Sequence, residues 1–307
     1  MKSSLLKQVA RETLLKRFLA EGGVADRVDG QFRTDATAWA IIVLTALNEL
    51  PLLIDRGRAR LRSGQASDGR VSLSKDNPES FWPTALAVLA WQDAPAYADS
   101  QRQAVKFLLE TTGVHYRSQS SDVAGHDAAL KGWPWVANTH SWIEPTVLSV
   151  LALSGAGYGR HDRVQEALQM IQNRQLPHGG WNYGNTFVFG RELRPMPEST
   201  GTALAGLAGH VELGMVARSL DYLQGEVNGL CTPVSLGWGL VGLAAWGMWP
   251  SNGLELVERC LANQSRYGQY DTSSLCLVLL GALAGEPDGS TNAFSLSRIT
   301  QLHSITP

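Results

Sequence analysis

The sequence predicts an all-α protein in which six parallel inner helices are enclosed by six outer helices. Two observations carry this prediction: nearly apolar helical segments recur six times, and a more polar helical segment precedes each of them. The composition agrees, because 44% of the 307 residues are apolar and 18% are charged, which is typical of a globular chain with a large core. Ten tryptophans are many for this length and indicate an interior rich in aromatic rings.

The inner helices are predicted from a Thr or Ser that is followed five residues later by Ile or Leu. Each such segment is apolar on nearly every side, as in "TALAVLAW" and "TVLSVLAL", which is typical of a helix that is buried all round. The six segments are predicted to begin near Thr37, Thr84, Thr146, Thr202, Ser235 and Thr272.

The outer helices are predicted from the segments between these apolar runs, which keep a helical periodicity but are more polar. They read "SLLKQVARETLLKRFLA", "LIDRGRARLRSGQ", "AYADSQRQAVKFLLE", "RVQEALQMIQNRQ", "MVARSLDYLQGEV" and "LELVERCLANQ". Such pairing predicts stacked helical repeats. The last apolar unit does not resemble a polar capping repeat, so the sequence favours a closed ring, formed as one domain by residues 1–307.

The loops are expected to differ between the two ends of this ring. Connections from outer to inner helices are long, at about residues 64–81, 112–142 and 177–198, whereas the reverse connections are short, as in "SGAGYGRHD". Long loops in a compact domain are usually functional. Because the inner helices are predicted to be parallel, the same end collects six helix N-termini, whose dipoles favour anions.

Charge, cysteine content and motifs exclude several functions. The net charge of −2 argues against nucleic acid as a partner. Cys231, Cys260 and Cys276 form no CxxC motif, and the charged N-terminal segment lacks the apolar stretch of a signal peptide. No P-loop, dinucleotide fingerprint, HExxH or GxSxG motif is present. We therefore expect a cytoplasmic protein, and contact with a membrane surface stays open.

Two stretches resemble a known repeat. "RQLPHGGWNYGN" followed by "PESTGTALAGLAG" is similar to the Q–x–x–x–GGW…E–x–T–AL–AL repeat of squalene–hopene cyclases, and two earlier stretches look like degenerate copies. The β subunits of protein prenyltransferases are similar in length and also form one such ring. The resemblance implies an α6/α6 toroid with an apolar cavity that binds an isoprenoid.

The resemblance also implies a position for the catalytic acid. Class II terpene cyclases protonate their substrate with the middle acid of D–x–D–D–T–A at the start of an inner helix, where this chain reads "RTDATA". Asp35 is the middle acid, while Arg33 and Ala36 replace the other two. We predict that Asp35 starts the reaction with help from His140 and Glu144, although Glu144 precedes a first-turn proline and is also explained as a helix cap.

Further residues are predicted to bind the substrate. Tryptophan faces can stabilise carbocations, and arginine forks at the loop end can hold a diphosphate, although pairing of the arginines with Glu192 is an equally good reading. Glu198 is expected to act as a structural brace with Gln175 and Trp181. The predicted binding residues are Trp39, Trp133, Trp135, Trp142, Trp238, Arg191, Arg194 and Asp271.

The prenyltransferase resemblance implies a zinc site, which this chain does not match. That family binds zinc through Asp–x–Cys and a His, where this chain has Asn228, Cys231 and Asp271. We therefore expect neither a metal nor a cofactor. The leading prediction is proton-initiated cyclisation of a polyprenyl or terpenoid substrate. Prenyl transfer, and a non-catalytic toroid that binds a lipid or a partner chain, remain as alternatives.

Overall fold

The computed structural model describes residues 2–116 and 125–286, with side chains from Leu6 onward. Helices are the main secondary structure of the described chain. Its helices are α1 (Lys2–Leu14), α2 (Thr34–Leu47), α3 (Pro51–Ser63), α4 (Pro83–Ala90), α5 (Ala98–Glu110), α6 (Ile143–Leu153), α7 (Asp162–Asn173), α8 (Pro197–Leu207), α9 (Leu213–Glu226), α10 (Pro233–Ala244), α11 (Gly253–Ala262), α12 (Gln264–Tyr267) and α13 (Thr272–Leu283). A two-stranded hairpin, β1 (Phe187–Val188) and β2 (Arg191–Glu192), interrupts the loop before α8.

The inner helices form a closed ring, which confirms the predicted all-α, α6/α6 toroid. Each inner helix packs against the next in the order α2, α4, α6, α8, α10 and α13, and α13 packs back against α2. The amphipathic helices α1, α3, α5, α7, α9 and α11 cover the ring from outside. The inner helices are buried along almost their whole length, because they have apolar neighbours on every side.

The inner helices run parallel, as contacts at both ends of the ring demonstrate. At the N-terminal end, the Ser235 hydroxyl of α10 donates to Glu198 of α8 at 2.8 Å. At the C-terminal end, the Arg58 guanidinium reaches the Ala90 carbonyl of α4 at 2.7 Å and the Thr45 hydroxyl of α2 at 3.5 Å. The described parts of the long loops therefore lie at the N-terminal end, which we call the mouth of the ring.

A buried threonine hydroxyl accepts a backbone N–H from the preceding loop in four of the six repeats. In three of them the two residues are thirteen apart, with distances of 2.8–3.0 Å: Thr37 with Val24, Thr84 with Val71, and Thr146 with Trp133. In α8 the equivalent residue is Thr200, which accepts from Trp181 at 3.0 Å, and Thr202 instead donates to the Glu198 carbonyl. The repeat register at α8 is thus two residues earlier than predicted, and the loop that contains the hairpin raises the separation of the bonded pair from 13 to 19 residues.

Glycines let three inner helices approach backbone to backbone. A β-carbon at Gly237 of α10 would lie 2.6 Å from the Leu277 carbonyl oxygen of α13. A β-carbon at Gly242 would lie 2.5 Å from the Gly201 carbonyl oxygen of α8. No side chain fits at these positions, so the glycines set the spacing of α8, α10 and α13.

No helix in residues 2–116 and 125–286 combines the length and the apolar character that crossing a membrane requires.

Candidate active site at the mouth of the ring

Three acids occupy the same position on three inner helices. Asp35, Glu144 and Glu198 are each the second residue of their helix, in α2, α6 and α8. At that position a side chain lies next to free backbone N–H groups and the positive end of the helix dipole. Their surroundings nevertheless differ, and this difference separates their chemistry.

Asp35 is bound by a single arginine. Arg33 donates from Nε to Oδ1 at 2.9 Å and from Nη2 to Oδ2 at 2.7 Å. The Asp35 side chain is almost completely buried, and the hydrogen bonds to Asp35 raise the pKa of the Arg33 guanidinium. Both oxygens of Asp35 therefore accept hydrogen bonds from a permanently charged guanidinium.

Glu144 is half-buried at the start of α6 and has a strongly raised pKa. Burial raises the pKa of the Glu144 carboxyl to about 7, and hydrogen bonding with Trp238 acts in the opposite direction. The nearby charge of Glu198 adds to the increase. An acid with a pKa near the ambient pH exists in both forms, so Glu144 can donate or accept a proton in neutral solution.

Glu198 is held by hydroxyl groups from two different elements. Its Oε1 accepts from the Tyr183 hydroxyl at 2.9 Å, and its Oε2 accepts from the Ser235 hydroxyl at 2.8 Å. The expected brace with Gln175 and Trp181 is not formed. Gln175 donates to the Ser219 hydroxyl of α9, and the Trp181 indole donates to the Ile171 carbonyl of α7.

Tyr183 connects this carboxylate with the outside of the mouth. About half of the Tyr183 side chain is exposed, and the hydrogen bond to Glu198 raises the pKa of its hydroxyl, with a smaller contribution from burial. Sequence reasoning missed both Tyr183 and Ser235 as neighbours of Glu198. The hairpin separates Tyr183 from Glu198 along the chain, and nothing in the local pattern indicates that the loop returns.

His140 and Trp142 form an aromatic pair beside α6. Their ring centroids are 4.5 Å apart and the rings are tilted by 39°. His140 is exposed, and partial burial together with the charge of Arg174 lowers its pKa. Arg174 is itself buried and donates to the carbonyls of Ser141 and Gly184. The pair thus lies two to four residues before Glu144, on the surface of the mouth.

The other predicted tryptophans occupy three kinds of position. Trp39 and Trp238 meet edge to face at 6.1 Å and are buried between inner helices. Trp133 is buried, donates to the Leu108 carbonyl, and stacks on the Arg163 guanidinium at 3.9 Å. Trp135 is half-buried and lies edge-on to Trp82 at 5.4 Å. Trp135 and Trp142 are therefore the two predicted tryptophans that reach the mouth surface.

The remaining predicted residues lie farther around the mouth. Arg191 and Arg194 are exposed on the hairpin segment, and within the described part of the chain neither forms an ion pair, so the pairing with Glu192 is not observed. Asp271 caps α13, accepting from the Ser274 backbone at 2.9 Å and the Ser274 hydroxyl at 2.7 Å. Cys231 is exposed. In residues 2–116 and 125–286 no three His, Cys, Asp or Glu side chains cluster as metal ligands.

Comparison with solved structures supports the fold. An inactive variant of the α-1,6-mannanase GH76A of Salegentibacter sp. HEL1_6, in complex with α-1,6-mannotriose, matches with a TM-score of 0.59 at 11% identity, covering 95% of this chain and 98% of that one. A protein from Actinoplanes matches with a TM-score of 0.55 at 15% identity, covering 91% and 99%. No family model and no curated protein matches the chain.

A type II terpene cyclase from Scytonema, in complex with geranylgeranyl dihydroxybenzoate, matches with a TM-score of 0.48 at 14% identity, covering 87% of this chain and 79% of that one. At these identities the likeness concerns the fold, and function has to be argued from the site.

Proposed function

We propose that this protein is an enzyme whose reaction begins when Glu144 transfers a proton to an oxygen atom of a substrate bound at the mouth. The observation that carries the proposal is the raised pKa of Glu144, about 7, in a half-buried carboxyl beside a second carboxylate. Acids with a strongly perturbed pKa are candidates for catalysis. Asp35 is a poorer donor, because Arg33 occupies both of its oxygens.

The strength of the acid selects the kind of atom that is protonated. Proton transfer follows Brønsted behaviour, so an acid with a pKa near 7 suits an oxygen base better than the much weaker base of an alkene carbon. The resemblance of the GGW repeat to cyclases, together with the Trp135, Trp142 and Tyr183 rings at the mouth, favours an isoprenoid. We therefore infer an isoprenoid epoxide as the substrate.

The proposed step is a ring closure that begins with opening of the epoxide. The Glu144 proton binds the epoxide oxygen while one C–O bond breaks, and the π electrons of a neighbouring alkene form the new C–C bond. The resulting cation loses a proton to a water molecule, and the hydronium ion so formed returns a proton to the Glu144 carboxylate, so that no net proton is consumed. Glu198, whose carboxylate is held by Tyr183 and Ser235, supplies the negative charge beside the developing cation.

A second candidate is cleavage of a glycosidic bond. Two carboxylates in different environments, one with a raised pKa and one held by hydroxyl donors, are what such hydrolysis needs, since one acts as acid and the other as base or nucleophile. Aromatic rings such as Trp142 and Tyr183 beside the acids suit sugar rings as well. The mannanase with the same fold makes an α-1,6-mannoside the natural probe.

One experiment tests both candidates. Wild type, Glu144→Gln and Asp35→Asn are incubated with squalene epoxide, an epoxidised geranylgeraniol, squalene, geranylgeranyl diphosphate and α-1,6-mannotriose, and products are identified by mass spectrometry. We expect wild type and Asp35→Asn to convert an epoxide, and Glu144→Gln to lose at least about a hundredfold in kcat.

The outcomes separate the readings. Cleavage of mannotriose that depends on Glu144 would replace the isoprenoid by a glycoside. Full activity of Glu144→Gln would refute the proton donor. Binding of a substrate by wild type without any conversion would support the non-catalytic toroid.

A further inference from the structure

The turn between β1 and β2 contains a phenylalanine that neither the backbone conformation nor packing in the core explains. Phe189 is 100% exposed and has a φ of 51°, and Gly190 follows with a φ of 71°. Two successive residues at positive φ are typical of a type I′ turn, where Asn–Gly is the favoured pair. A phenylalanine is disfavoured in that conformation, and here its ring is also left in water. A phenylalanine at residue 189 therefore lowers the stability of the folded protein.

Phe189 is the outermost part of a larger apolar rim. Exposed side chains of Val114, Tyr116, Tyr183 and Val188 lie in the long loops at the same end of the ring. These loops contact each other, because Thr186 lies 3.4 Å from His126 and the ring of Phe187 leaves no room for a β-carbon at Gly125. We call these five exposed residues, Phe189 included, the apolar rim. Exposed apolar side chains that gather at one end of a protein are candidates for an interaction site.

Two basic side chains follow the tip along the chain. Arg191 and Arg194 are exposed and, among the described residues, form no ion pair, so the hairpin carries one excess positive charge over Glu192. Guanidinium groups bind phosphate oxygens through paired hydrogen bonds. A fully exposed aromatic ring on the same hairpin segment as two exposed arginines suits a bilayer surface, in which phosphates lie outside the acyl region.

We propose that the apolar rim docks on an anionic lipid surface, with Phe189 inserted at the interface and Arg191 and Arg194 on lipid phosphates. A protein partner fits less well, because a stable interface takes about 20–30 residues on each side, whereas the apolar rim has five. Docking in this orientation turns the mouth of the ring, with Glu144 and Tyr183, toward the bilayer. The binding itself does not depend on the proposed reaction.

The test is co-sedimentation of the full-length protein with vesicles of phosphatidylcholine, with and without roughly one-third phosphatidylserine. We expect wild type to bind the anionic vesicles in a salt-sensitive manner. Phe189→Asn should reduce the partition coefficient at least about tenfold, since burial of a phenylalanine is lost. It should leave the melting temperature unchanged or higher, because Asn tolerates positive φ.

Two further variants make the test specific. Leu52→Ser is the matched control, because Leu52 is 81% exposed but begins α3 at the opposite end of the ring, and it should bind like wild type. Arg191→Gln combined with Arg194→Gln should remove most of the salt sensitivity. The proposal would be overturned if wild type did not bind the anionic vesicles, or if Phe189→Asn bound them as wild type does. A protein partner would then be the occupant of the apolar rim.

Discussion

The raised pKa of Glu144 makes a prediction about stability that needs no substrate. The folded protein holds the Glu144 proton up to about pH 7, whereas the ordinary value of 4.5 applies to the unfolded chain. Between these two values the folded state binds more protons, so the stability contributed by this group is complete at about pH 4.5 and is lost as the pH rises through 7. The difference between the pKa values of the folded and unfolded states corresponds to about 3 kcal/mol of stability, at about 1.36 kcal/mol for each pKa unit.

Glu144→Gln removes this dependence, because the amide has nearly the same shape and is neutral at every pH. We expect the free energy of unfolding of the variant, relative to wild type, to increase by about 3 kcal/mol between about pH 4.5 and pH 8. The measurement is urea unfolding followed by far-ultraviolet circular dichroism at several pH values, with the two proteins subtracted at each pH. Subtraction cancels the titration of all other groups that are unaffected by the change.

Glu198→Gln provides the internal comparison. Burial is the largest cause of the raised pKa and the Glu198 charge is a smaller one, so this variant should keep most of the pH dependence and lose part of it. A stability difference between Glu144→Gln and wild type that stays constant with pH would show that Glu144 titrates normally. The proton donor proposed for the reaction would then lose its main support.

Two further pairs of variants test the packing of the ring. Thr200→Val should lower the free energy of unfolding by about 1–3 kcal/mol, because the buried N–H of Trp181 loses its acceptor. Thr202→Val should lower it by less than about 1 kcal/mol. If urea unfolding ranks the two variants the other way, the register predicted from the sequence is the right one. Gly201→Ala should destabilise the protein by several kcal/mol, because a β-carbon would overlap the Trp238 carbonyl of the next helix. Gly225→Ala on α9 has open space around it and should stabilise the protein by about 0.5–1 kcal/mol. Equal melting temperatures of the two variants would refute the close approach of the helices.

The three equivalent acids explain why a motif at a helix start is a poor guide to catalysis. Asp35, Glu144 and Glu198 occupy the same position in the repeat, and each lies at the positive end of the dipole of its own helix. Their chemistry differs because their surroundings differ. Arg33 binds Asp35, burial raises the pKa of Glu144, and two hydroxyl groups donate hydrogen bonds to Glu198. The partners of Glu198 come from the hairpin loop and from α10, which only the closed ring brings together.

The sequence by itself determined the helices, their order and the closure of the ring. Apolar periodicity decides which helices are buried, and six helices that are apolar on all sides can be covered only when each has two inner neighbours and an outer one. The same pattern could not determine the register of α8, because a run such as "TALAGLAG" is apolar in every alignment and the contact of Thr200 with Trp181 spans the hairpin. Nor could it assign Tyr183 and Ser235 to Glu198 or give Glu144 its pKa. Hydrogen bonds and desolvation depend on atoms that are distant in the chain, and only tertiary packing sets those distances.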